Sequence, residues 1–248
     1  MNSIMYADDL ILISISLKHM QSMVDLCFSE FEFIGMNINV KKSGCLRIGP
    51  RHRNEVSSIC INTQPLKWLR ELKYLGIHLL SATRFTFNLQ VFKQKYYRAL
   101  NGIFGKIGVN SSSAVLCSLI KSFCVPILMY AAESLNWTQK QLKSVNSAYS
   151  HAFYKVFSTF DNHVVEQCQY YMGCLPMSFV IDIRKLNEYD KIFTNINHPM
   201  HTLCTFIDND FHAICERYNI AEIDNCNRPK HRHFYRDLIW TSFASRVL

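Results

Sequence analysis

The amino-acid sequence predicts an α+β protein: a small, partial antiparallel sheet with a packed helix up to about residue 80, then a mostly α-helical remainder. Short β-rich runs punctuated by turn residues fill the first eighty positions. Apolar stripes at helical spacing take over after them. With 49% apolar and 13% aromatic residues in 248, there is ample core material and no disorder signature.

In chain order, residues 1–16 run from a polar start through an acidic turn into the β-rich run Leu10 to Ile15, which predicts a hairpin. Leu17, Met20, Val24, Cys27, Phe28, Phe31 and Ile34 then recur at helical spacing, with Gly35 as the stop. Short strands are predicted at Cys45–Ile48, Ser58–Ile61 and Tyr74–Leu79, separated by Gly49-Pro50, Asn62 and Gln64-Pro65 as turns. Leu89, Phe92, Tyr96, Leu100, Ile103 and Ile107 form one helical stripe, with Lys95, Arg98 and Lys106 on the opposite face. Ser111 to Ser113 can cap the next helix, which Pro126 interrupts or ends. Thr138 and Gln141 have capping-box spacing, and Leu142, Val145, Tyr149, Ala152, Phe153, Val156 and Phe160 line one face of the helix they open. The expected regions are 1–80, 81–160 and 161–248, the last helical and without an assigned role.

Lys and Arg exceed Asp and Glu by 27 to 19, a net charge of +8. Between Leu72 and Phe160 the only acid is Glu133, against ten basic residues, Lys93, Lys95, Arg98 and Lys106 among them. That stretch nets +9 and the rest of the chain −1. A solvated helix face normally mixes signs, so this near-exclusion of acids points to a phosphate-bearing partner; compositional drift is the plainer alternative. Ten cysteines are scattered among apolar neighbours, as at Cys27, Cys117 and Cys124. With no secretory leader and no long apolar span, they read as reduced core thiols of an intracellular protein of nucleus or cytoplasm, not secreted and without a membrane partner.

The chemistry centres on Tyr6-Ala7-Asp8-Asp9. Adjacent carboxylates at a turn repel one another unless a cation lies between them, and Mg²⁺ takes such oxygen ligands together with substrate phosphates. An ordinary turn would also accept two aspartates. Downstream lie Gly35-Met36-Asn37-Ile38-Asn39-Val40-Lys41-Lys42-Ser43 and Tyr74-Leu75-Gly76-Ile77, and later the segment Ser122 to Tyr130 containing Pro126, Leu128 and Tyr130.

These motifs, in this order and spacing, resemble the reverse transcriptases of non-LTR (LINE-type) retrotransposons over roughly residues 1–140. The resemblance implies an RNA-directed DNA polymerase, a nucleotidyltransferase of a transposable element, with residues 1–80 from its palm and the basic helices from its thumb. It implies Asp8 as principal and Asp9 as auxiliary ligand of Mg²⁺, with Mn²⁺ as a substitute in the complete domain. Tyr6 would lie near the growing 3′ end, and Tyr74 and Gly76 would shape the primer grip. Lys42 would assist the leaving pyrophosphate; a solvated loop lysine is the alternative. Gly76 reads equally as a strand glycine tolerating close backbone approach. The implied partners are an RNA template, a DNA primer or RNA–DNA duplex, and deoxynucleoside triphosphates. Lys93, Lys95, Arg98 and Lys106 would meet the nucleic acid.

The family holds its two metals between the hairpin aspartate and an earlier palm aspartate, and binds the triphosphate with a fingers region. Five residues precede Tyr6, too few for either. Positioning can supply roughly 7–11 kcal/mol of a barrier, so the polypeptide alone is expected to be inactive. Met1 then reads as an internal methionine of a longer frame or the start of a decayed element copy. Leu10 to Ile13, without its upstream neighbour, is expected to form an exposed apolar edge and limit solubility. The alternative function is a non-catalytic nucleic-acid-binding helical protein.

Near the C-terminus, His201 with Cys204 and His212 with Cys215 have i,i+3 spacing that could present metal ligands, while His198, Cys226, His231 and His233 complete the candidates. No Cys-x-x-Cys pair is present, and core cysteines with surface histidines are the plainer reading. Arg228 to Arg236 interleaves bases with Phe234 and Tyr235, which suits phosphate contact and stacking or a solvated tail.

Overall fold

The structure is a computed structural model that describes residues 3–108, 111–220 and 234–248. It is α+β, and it divides into two compact units, Met1–Asn88 and Leu89–Leu248.

In the first unit, strands β1 (Ser3–Tyr6) and β2 (Asp9–Leu12) form the expected antiparallel hairpin. Helix α1 (Leu17–Phe33) follows. It stops as predicted: Gly35 takes φ +74°, its N–H reaches the Glu32 carbonyl at 3.0 Å, and the Met36 N–H reaches Phe31 at 2.8 Å. This is a Schellman closure, which needs the left-handed residue that glycine supplies without strain. Of the α1 stripe, Val24 is buried with Ile59, Ile61 and Leu66, and Met20 and Phe28 pack on that cluster. Leu17 and Ile34 remain exposed.

The expected antiparallel pairing is present at β1–β2 and in two further pairs, but not as one partial sheet. Four separate two-stranded pairs replace it among the described residues. Besides β1–β2 these are β3 (Gly44–Leu46) with β6 (Lys67–Leu69), β4 (Cys60–Ile61) with β5 (Gln64–Pro65), and β7 (Glu71–Tyr74) with β8 (Ile77–Leu80). The β3–β6 pair is parallel, with β4 and β5 inside its crossover. Gln64-Pro65, expected as a turn, is a strand; Asn62 and Thr63, both at positive φ, make the reversal instead. Tyr74–Leu79, expected as one strand, is broken at its second residue. Leu75 (φ 43°) and Gly76 (φ 81°) form a two-residue hairpin loop, because two successive left-handed residues match the twist of the flanking strands.

The second unit is helical. Helix α2 (Leu89–Ile107) buries Leu89, Phe92, Tyr96 and Leu100 along the predicted stripe. Helix α3 (Ser113–Leu119) runs through a π turn at Ile120–Cys124 into α4 (Val125–Leu128). The wider turn falls where Pro126 lacks an N–H and would crowd the carbonyl four residues back. Ser112 is the N-cap of α3, although its side chain makes no capping bond, and Ser111 instead donates to the Ile107 carbonyl at 3.0 Å.

Helix α5 (Gln139–Phe157) opens on the predicted capping box and buries Val145, Tyr149, Ala152, Phe153 and Val156. Phe160 does not join that face: Ser158 turns left-handed at φ 51°, the helix ends, and the Phe160 ring is exposed. Helices α6 (Asn162–Tyr171), α7 (Met177–Thr194), α8 (Cys204–Arg217) and α9 (Phe234–Val247) follow. Among the described residues two cores fill the unit. One centres on Tyr96, Leu116, Tyr149 and Phe153, the other on Leu186, Phe211, Ile239 and Phe243, and α7 contributes to both. No helix among the described residues is long and apolar enough to cross a membrane.

Candidate metal centre and nucleic-acid interface

Tyr6 pairs with Asp9 across the hairpin, leaving Ala7 and Asp8 as a two-residue loop. Ala7 is left-handed at φ 52° and Asp8 is not, so one residue carries the backbone strain of the reversal. Cross-strand partners share a face of the ladder, so the Tyr6 ring and the Asp9 carboxylate emerge on the same side. All four residues from Tyr6 to Asp9 are exposed. Neither aspartate has a hydrogen-bond or ion-pair partner among the described residues, and both carboxylates are exposed. Leu12, at the far end of β2, packs on the Val24 cluster and anchors the ribbon.

Hard oxygen donors at adjacent positions with no counter-cation fit Mg²⁺ or Mn²⁺ in type. They do not make a complete site: no group of three or more His, Cys, Asp or Glu capable of holding an ion occurs among the described residues. The pairs His201–Cys204 and His212–Cys215 therefore gather no third ligand there. His212 lies 3.6 Å from Asp208, and burial pushes the Cys215 thiol up to about 11. Cys226, His231 and His233 lie outside the described residues, as does most of the Arg228–Arg236 segment.

Lys42 is exposed on a turn organised by Asn39, whose carbonyl and side-chain oxygens accept the Lys42 N–H at 3.1 and 3.2 Å. No bond joins its ammonium to Asp8 or Asp9. Tyr74 is half-buried at the end of β7, and Gly76 is the loop glycine of that hairpin. It lies in the reversal at φ 81° and not in a strand, so the strand-glycine reading is replaced. Glu71 braces the hairpin by bonding His78 at 2.7 Å and Asn88 at 3.3 Å.

On α2, Lys95, Arg98 and Lys106 are exposed opposite the buried stripe and have no bonding partner among the described residues. Lys93 differs. Its ammonium bonds Ser144 Oγ on α5 at 3.0 Å, so it pins one helix to the other. Further along, the Tyr97 and His151 rings meet edge-on at 6.0 Å. Lys155 then bonds Asn101 at 3.3 Å and lies over the Phe104 ring at 5.7 Å. These contacts ascend together on both helices, which run side by side in the same direction. Desolvation, then the Lys155 charge, holds the His151 imidazole below its ordinary value, so it is neutral at pH 7. This seam escaped sequence reasoning because its partners are about fifty residues apart; the only local signal is His151 and Lys155 at i,i+4.

The described cysteines are free thiols, and Cys117 and Cys124, both buried, have thiols pushed up to about 12 and 11 by burial. They are unreactive core groups.

Compared with protein-family models, with curated proteins and with solved structures, the chain finds no match.

Proposed function

We propose that this chain is a segment of an RNA-directed DNA polymerase of the non-LTR retrotransposon type. It would carry the metal-binding hairpin, the primer-grip hairpin and a helical thumb. The observation that carries this reading is the tight Tyr6–Asp9 reversal, which holds two solvent-facing, unpaired carboxylates on the end of an anchored ribbon. A second two-residue hairpin at Tyr74–Ile77 and a helix with a one-sided basic face follow it in the order such an enzyme uses.

In that chemistry, divalent cations activate the primer hydroxyl and steady the triphosphate. Asp8 and Asp9 would hold such ions, Tyr6 would flank the primer end, and Lys42 would offer a positive charge to the pyrophosphate. Two carboxylates hold a hydrated Mg²⁺ weakly, and no third ligand joins them among the described residues. The polypeptide by itself is therefore inactive in this reading. Primer extension on an RNA template with Mg²⁺ or Mn²⁺ should yield no product above background. Robust extension by the purified chain that disappears in Asp8→Asn would overturn the inactivity while keeping the polymerase assignment.

The exposed face of α2 favours a second reading, a nucleic-acid-binding protein without catalysis. There, duplex binding should weaken steeply with salt. Replacing Lys95, Arg98 and Lys106 by Ala should reduce the slope of log K against log salt by about 2–3. An unchanged slope excludes this face as the contact surface, and sensitivity to Asp8→Asn would favour the first reading.

A further inference from the structure

The second unit contains an open cleft, a cavity of about 340 Å³ lined by residues of α5, α7, α9 and the end of α8, and the polymerase reading assigns it no role. Its walls carry three permanent cations, Lys143, Arg217 and Arg246, against one carboxylate, Asp182.

The carboxylate is already engaged. Arg217 Nη1 donates to Asp182 Oδ2 at 2.6 Å, and the Tyr218 hydroxyl donates to the same oxygen at 2.8 Å. This clamp sets the Arg217 guanidinium in place while one bond uses only part of its five-donor fork. Arg246 is steadied from outside the cavity by Glu166 at 2.9 Å, and its guanidinium lies 5.3 Å over the Phe179 ring. Lys143 is exposed and has no hydrogen-bond or ion-pair partner among the described residues.

Neutral groups repeat the bias. The Ser178 N–H donates to Asn146 Oδ1 at 2.9 Å, and Asn146 Nδ2 donates back to Ser178 Oγ at 3.0 Å. An oxygen that accepts keeps its own hydrogen to give, so the Ser178 hydroxyl adds a donor. Among charged groups the lining is biased to donors, Gln139 and Ser242 can act either way, and Leu142 and Phe179 add apolar surface beside them. Cavities of about 300–1,000 Å³ with a few convergent polar groups accommodate small organic ligands. Three cations around one space complement a dianion with several acceptor oxygens better than a monoanionic carboxylate.

We propose that this cavity binds small phosphate monoesters, with the phosphate held by Lys143, Arg217 and Arg246 and the organic group against Leu142 and Phe179.

Calorimetric titration of the whole chain with phenyl phosphate, inorganic phosphate and benzyl alcohol tests it. Phenyl phosphate should saturate one site, bind roughly tenfold more tightly than inorganic phosphate, and lose roughly tenfold in affinity with Lys143→Ala. Lys140→Ala, one turn earlier on α5 and outside the cavity wall, should leave binding unchanged. Affinity should fall between about pH 7.5 and pH 5 as the ester loses its second charge, whose pKa is near 6. Absence of saturable binding overturns the proposal. So does equal weakening by both lysine variants, equal affinity for inorganic phosphate (an adventitious ion only), or stoichiometric displacement by a short oligonucleotide.

Discussion

Asp182 and Asp210 occupy one polar network on α7 and α8 yet respond to it with opposite sign. Burial pushes the Asp182 carboxyl above its ordinary value of 3.8, outweighing Arg217 and Tyr218. Burial acts the same way on Asp210, but there Lys185 at 2.7 Å and Tyr189 at 2.5 Å prevail and carry it below 3.8. A raised carboxyl favours the folded state below its unfolded value, near 3.9, and loses that contribution as pH rises through the higher folded value. A lowered one stabilises above the unfolded value and loses that as pH falls through the folded one. Relative to wild type, Asp182→Asn should therefore look better at pH 7 than at about pH 3.5, and Asp210→Asn worse. Urea midpoints across that range check both, and a common tilt would refute the assignment. At pH 7, Asp210→Asn leaves the buried Lys185 ammonium without its counter-ion. The cost should be roughly 2 kcal/mol, below the 3–5 of a fully buried pair because the Asp210 side chain is 45% exposed.

At the scale of elements, boundaries are set by backbone groups that need partners. Thr138 Oγ1 accepts the Gln141 N–H at 3.3 Å, and Gln141 Oε1 accepts the Thr138 N–H at 3.0 Å, so two orphan donors of α5 are satisfied reciprocally. Thr138→Ala should cost about 1 kcal/mol, a fall in Tm of about 2–4 °C with the helical signal retained. The same closure that ends α1 ends α6 and α8. Gly173 and Asn219 are left-handed there, with Cys174 bonding back to Gln169 at 2.8 Å and Ile220 to Cys215 at 3.0 Å. The α8 closure has a further consequence, because it fixes Arg217 and Tyr218 where they can clamp Asp182.

Across the whole molecule, apolar surface is distributed unevenly. The second unit encloses two cores, whereas β1 is exposed along its length, with Ile4 45%, Met5 59% and Tyr6 64% accessible. Ile13, just past β2, is also open. A two-stranded ribbon with unpaired outer edges is a template for further strand pairing. Met5→Lys with Ile13→Lys should shift the chain from aggregates towards a single species in size-exclusion chromatography, with unchanged circular dichroism. Persistence of the aggregates would place the adhesive surface elsewhere.

The sequence alone determined the acidic reversal at Tyr6–Asp9, the apolar stripes of α1, α2 and α5, the Gly35 stop of α1, the capping box that opens α5, and the change of character between the two units. Each is written in neighbours two to four positions apart: alternation, helical spacing, caps and left-handed glycines. Other features depended on residues far apart in the chain. Tertiary structure decided that Leu75-Gly76 reverses rather than extends, that β3 pairs in parallel with β6, and that Lys93 serves Ser144 instead of facing outward. It also gathered Lys143, Asp182, Arg217 and Arg246 around one cavity. Such placements arise when separate helices bury their apolar faces together, and local pattern carries no record of which polar groups that packing will bring face to face.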